Sequence, residues 1–119
     1  MTFIVVLANK LTGYPRKEQR TMHIVIAPFR LKEGISESVM LEASDDFEEQ
    51  FVQRQDGILK RIVVKDGADR YADVVFFEDA AAIDRVVEAE QNSDVCASLF
   101  AIMDDEDAPR VYEALRTYE

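Results

Sequence analysis

The chain has 119 residues, 48% hydrophobic and 32% charged, with 24 acidic against 14 basic side chains and a formal net charge of −10. That size suits one domain with one core, and the composition excludes a disordered or fibrous chain. The acidity excludes a general nucleic-acid binder, which needs clustered Lys and Arg, and no apolar run approaches the roughly 18 residues of a membrane span.

Residues 1–21 read as an N-terminal extension. Lys10, Arg16, Lys17 and Arg20 face only Glu18 there, so this stretch is basic on an acidic chain. The run Thr2 to Ala8 has strand composition, and Gly13-Tyr14-Pro15 can turn it back as an added edge strand or as an arm over a partner. No basic n-region precedes that run and the chain holds one cysteine, Cys96, so the expected address is cytoplasmic.

Residues 22–119 form the predicted domain. Met22 to Lys32 is a β-branched apolar run stopped by Glu33-Gly34, and reads as a strand. Ser36 offers an N-cap, and Val39, Ala43, Phe47 and Phe51 recur every four residues up to Gly57, which predicts an amphipathic helix. Ile58 to Lys65 and Tyr71 to Phe77 predict two antiparallel strands joined by Asp66-Gly67-Ala68-Asp69. Asp79 can cap a second helix, Ala80 to Gln91; Asn92-Ser93-Asp94 breaks it, and Val95 to Met103 reads as a fourth strand. A last helix is expected from about Ala108, with Asp107 as cap and Pro109 in its first turn.

The order βαββαβ predicts an α+β, ferredoxin-like fold: a four-stranded antiparallel sheet with both helices on one face. The uncovered face is apolar too. Strand one alternates Val25, Phe29 and Leu31 against Ile24, Ile26 and Pro28, and strand three alternates Tyr71, Val75 and Phe77 against Ala72, Val74 and Phe76. Four strands of about seven residues present a face on the order of 400 Å². Monomers rarely leave that much contiguous apolar surface in water, so a homodimer, sheet on sheet, is expected.

The stretch from about Met22 to Met103 resembles the dimeric α/β-barrel proteins, and among them the antibiotic-biosynthesis-monooxygenase-like domains. The resemblance rests on FRLKEGISESV, on RQDGILKRIVVKDGADRYADVVFFEDAAAIDRVVEAEQNS, and on the apolar CASLFAIMD. It implies a barrel of two joined sheets, with small aromatic or lipophilic ligands held between each sheet and its helices. Two positions depart from the family: Phe77 stands where many members have tryptophan, and Val86 where haem-degrading relatives carry an iron-ligating histidine. Valine cannot bind iron, so the resemblance leaves cofactor-independent monooxygenation of an electron-rich phenol or quinol, with no cofactor and no metal. The alternative is a non-enzymatic dimeric module for metabolite binding or assembly.

Deprotonating such a substrate requires a base in a dry pocket. His23, the lone histidine, shares a strand face with Val25 and Phe29; it is a pocket base or a strand residue with a satisfied ring. Tyr71 is the second catalytic candidate, as a tyrosinate. Phe29, Phe47, Phe51, Phe77 and Val86 line a ligand pocket or fill the core, and Arg61 reaches a ligand oxygen or pairs with a carboxylate such as Asp73. Asp104 to Asp107 reads as helix capping rather than a metal site, and Cys96 as an inert small hydrophobe. P-loop, GxGxxG, HExxH and paired CxxC motifs are absent.

Overall fold

A computed structural model of the chain describes residues 21–67, 69–105 and 108–118. The expected N-terminal strand or arm lies outside the described residues.

Strand β1 (His23–Leu31) is followed by helix α1 (Glu37–Gln50), a short 3-10 turn (Val52–Arg54), and the hairpin of β2 (Ile58–Asp66) and β3 (Arg70–Phe77). Helix α2 (Ala80–Glu90), helix α3 (Asp94–Phe100), and the short strands β4 (Met103–Asp105) and β5 (Arg110–Glu113) complete it. The sheet order is β2-β3-β1-β4, with β5 also paired to β1, and all pairings are antiparallel. This is the ferredoxin-like arrangement expected from the sequence, with one strand more.

Both predicted caps form: Ser36 accepts from the Val39 amide and Asp79 from the Ala82 amide. On α1 the buried face is Met40, Ser44 and Phe47, and Val39 is 46% exposed. The four-residue spacing of Val39, Ala43, Phe47 and Phe51 explains the correction. Each step of four advances about 400° at about 100° per residue, so the first position drifts off a face that holds the last.

Two further expectations are corrected. Val95 to Met103 is not a strand: Ser93 caps α3 by accepting from the Cys96 amide, and Cys96 and Leu99 are the buried positions. A short apolar run cannot distinguish a buried strand from a buried helix turn, and Ser93-Asp94, read as a breaker, is the cap itself. The fourth strand is only β4. The last helix is also absent, because Arg110–Glu113 pairs as β5 with Ile26 to His23. Since β4 reaches only Phe29 to Leu31, the near half of that β1 edge offers open backbone groups, and the β-branched, aromatic Arg-Val-Tyr-Glu segment takes them.

The β1–β3 register runs unbroken from His23 opposite Phe77 to Phe29 opposite Tyr71, so Pro28 introduces no bulge. His23, Val25, Ala27 and Phe29 therefore share one face with Tyr71, Asp73, Val75 and Phe77, and all eight are buried. Ile24, Ile26, Pro28, Ala72, Val74 and Phe76 form the opposite face, continued by Ile62 and Val64 of β2, which are 38% and 40% exposed. The outer face is apolar, as the alternation predicts, whereas the inner face carries His23 and Asp73 among its apolar residues.

Gly57 connects α1 to β2 at φ +96°, and a Cβ there would sit 2.5 Å from the Ala82 Cβ. Gly57→Ala is expected to cost about 2–4 kcal/mol from backbone strain plus the clash. The check is a lowered urea midpoint with an unchanged slope.

Candidate functional site

The inner face of the sheet is apolar at its rim and charged at its centre. Arg61 on β2 and Asp73 on β3 lie diagonally across the strand pair, with Arg61 opposite Val75 and Asp73 opposite Val63. Arg61 Nη1 donates to Asp73 Oδ1 at 3.1 Å, and Nε donates to Glu48 Oε1 of α1 at 2.9 Å. Its Nη2 reaches the Ser44 carbonyl at 3.0 Å and hydroxyl at 2.9 Å, and its guanidinium lies 4.9 Å from the Phe47 ring centroid. The side chains of Arg61 and Asp73 are 7% and 4% exposed, whereas Glu48 reaches solvent.

Glu90, at the end of α2, is the second buried acid. It follows Ile83, Val86 and Val87 on the same inward stripe and is 5% exposed. Among the described residues neither of its carboxyl oxygens finds a hydrogen-bond partner. Burial first, and the Asp73 charge second, push its pKa up to about 9, so it is neutral at pH 7. Burial also raises the Asp73 pKa, outweighing the attraction of Arg61.

Of the residues anticipated for a ligand pocket, Phe47, Phe51, Arg61, Phe77 and Val86 surround one apolar space, together with Asp73. Phe29 lies elsewhere, stacked on Tyr71 with centroids 5.5 Å apart. The space itself is about 10 Å³, room for one water, so side chains nearly fill it. Larger open depressions on the helices carry the exposed acids Asp46 and Glu88.

The two catalytic candidates do not meet. His23 and Tyr71 sit at opposite ends of the inner face, six residues apart along the register, about 20 Å at about 3.3 Å per residue. His23 is 1% exposed, and its Nδ1–H donates to the Thr21 carbonyl at 2.6 Å. The Tyr71 hydroxyl donates to Glu37 Oε1 at 3.0 Å, and Lys65 holds the same carboxylate at 2.8 Å. Desolvation and that bond raise the Tyr71 pKa, so the geometry keeps it protonated. Cys96 is buried, its thiol pushed up to about 12 by burial, and it stays inert at neutral pH. Asp104 and Asp105 belong to β4, and no group of acids, histidine and cysteine that could hold a metal occurs among the described residues.

Sequence reasoning named Asp73 only as a partner for Arg61 and did not single out Glu90. Both had a signal: Asp73 falls on the inward parity of an apolar strand, and Glu90 lies four residues after Val86 on the inward stripe of α2. A charged residue at a core position of either period marks a buried polar group.

The molecule is thus a ferredoxin-like α+β protein with a charged cluster between sheet and helices. Its fold is that of the antibiotic-biosynthesis-monooxygenase-like proteins. SnoaB, a cofactor-independent oxygenase from Streptomyces nogalater, superposes with a TM-score of 0.64 at 15% identity, covering 82% of this chain and 96% of that one. A candidate antibiotic biosynthesis monooxygenase from Chloroflexus aurantiacus gives 0.65 at 12% identity over 83% and 98%. One from Bordetella bronchiseptica gives 0.62 at 16% over 82% and 99%. No protein-family model matches the chain, and no curated protein matches it.

Proposed function

We propose that this protein is a cytoplasmic homodimer that binds a small aromatic ligand between sheet and helices and oxygenates it without a cofactor. The observation that carries the reading is the Arg61–Asp73 pair with Glu90, buried in an apolar, aromatic-lined interior. Burying such groups costs stability that a purely structural core avoids by using apolar residues, and perturbed buried carboxyls mark functional sites. The likeness to oxygenases in fold supports the same reading.

The chemistry needs no group beyond the chain. A phenol and O2 give a quinone and water, the substrate supplying the electrons. Asp73, its basicity raised by burial, takes the phenolic proton, and Arg61 then stabilises the phenolate. Phe47, Phe51 and Phe77 exclude water around the ring. Entry requires these side chains to move apart, because the resting space holds one water. The outer face, with Ile24, Ile26, Val74 and Phe76, is the dimer surface. Covering about 400 Å² of it contributes about 10 kcal/mol gross per subunit before association costs.

A second reading, a dimeric module without catalysis, is favoured by the nearly filled interior. Oxygen uptake with a panel of phenols and quinols separates the two. Turnover by the wild type with a loss of about 100-fold or more in Asp73→Asn, and a much smaller effect of His23→Ala, supports the enzyme; no uptake with any member leaves the module. Sedimentation showing a monomer at micromolar concentration overturns the dimer in either reading.

A further inference from the structure

The cluster is unbalanced: one guanidinium, Arg61, holds the carboxylates of Asp73 and of the partly exposed Glu48, and a third carboxyl, Glu90, lies near enough to Asp73 to feel its charge. Arg61 is already engaged, Nε on Glu48, Nη1 on Asp73 and Nη2 on both oxygens of Ser44. No second cationic side chain is among the described residues that line the space. A carboxylate entering would meet carboxylates, with only a shared guanidinium to receive it.

A hydrogen-bond donor meets the reverse. Asp73 lines the space, and Glu90 stands one helical turn beyond Val86, which also lines it. Glu90 is 95% removed from solvent, and neither of its oxygens has a hydrogen bond among the described residues. A buried neutral carboxyl in that state is completed by a hydroxyl or an amine, which gives a hydrogen to its carbonyl oxygen and can accept from its O–H, whereas a carboxylate can only accept and would bring a further negative charge beside Asp73.

Resting on the aromatic-ligand reading above, we infer that the site takes aromatic ligands through a donor head, a phenol hydroxyl or an aryl-alkyl amine, and rejects aryl carboxylates. Glu90 is the residue that sets this specificity. It accepts from a neutral hydroxyl, and it gives up its proton to become the counter-ion of an ammonium.

Three probes on one ring system test this with the full chain: 2-naphthol, 2-naphthylmethylamine and 2-naphthoate, their Kd values read by ligand-observed NMR at pH 7. The expected result is that the hydroxyl and amine probes bind at least about tenfold tighter than the carboxylate. Glu90→Leu is expected to weaken both donors about tenfold and to leave 2-naphthoate unchanged. If the leucine variant does not fold, Glu90→Gln is used instead, and it is expected to lose the amine while keeping 2-naphthol. A carboxylate that binds as tightly as 2-naphthol, or donors indifferent to the residue at position 90, overturns the inference and leaves the aromatic site standing. If none of the probes binds at millimolar concentration, the aromatic-ligand reading itself falls, and the inference falls with it.

Discussion

Arg61→Leu is expected to destabilise the fold by about 3–5 kcal/mol, a large part of the roughly 5–15 kcal/mol that holds a domain of this kind together. The substitution strands Asp73, whose side chain is 4% exposed, without its cation, and removes the only described donors to the Ser44 hydroxyl and to the Glu48 carboxylate. The double variant Arg61→Leu/Asp73→Leu is expected to recover most of the loss, because no uncompensated charge then stays buried. Lowering the pH should also shrink the cost of the single variant, since burial raises the Asp73 pKa and protonating it relieves the same penalty. Urea unfolding followed by far-UV circular dichroism reads all of these. A single variant within about 1 kcal/mol of wild type would show that water reaches Asp73 in the folded chain.

The second large effect concerns Glu90. In the folded chain its carboxyl keeps its proton up to about pH 9, whereas the unfolded chain releases it near 4.5. Between those values the folded state binds the extra proton. Its contribution is therefore complete below the unfolded value and is lost as pH rises toward the folded one, with a limiting slope of about 1.4 kcal/mol per pH unit. Glu90→Leu is expected to flatten that decline and to raise stability at pH 8 by about 5 kcal/mol at most, the loss accumulated from the unfolded value at that slope, with water entering the folded chain reducing it. Parallel stability curves for wild type and variant from pH 5 to 9 would refute the assignment. The variant is thus more stable and a poorer binder, a combination that a merely structural side chain does not produce.

The strands and caps of the first three-quarters of the domain were legible because their signals are local. Ser36 and Asp79 carry their capping chemistry in one side chain each, and the alternation of His23 to Leu31 fixes which residues point inward. Beyond Asn92 the sequence misleads for a physical reason. Val95 to Met103 is apolar on every side, so neither period stands out, and the conformation is decided by the Ser93 cap and by packing. The β5 pairing depends on an open backbone edge some ninety residues earlier in the chain, which no local window contains. The site was half legible: the aromatic wall and Arg61 follow from parity, but the joining of Asp73 to Glu90 depends on how α2 crosses the sheet.

Strand β1 gives one edge wholly to β3 and divides the other between β4 and β5. That division sets an order of assembly. The β2–β3 hairpin closes locally, and β1 can join it once residue 77 is available, but among the described residues, 23–26 receive their second neighbour from residues 110–113. During synthesis the β5 pairing waits until residues 110–113 have emerged, long after the strand they complete. Glu113, Tyr112, Val111 and Arg110 then act as the closing clasp of the described sheet.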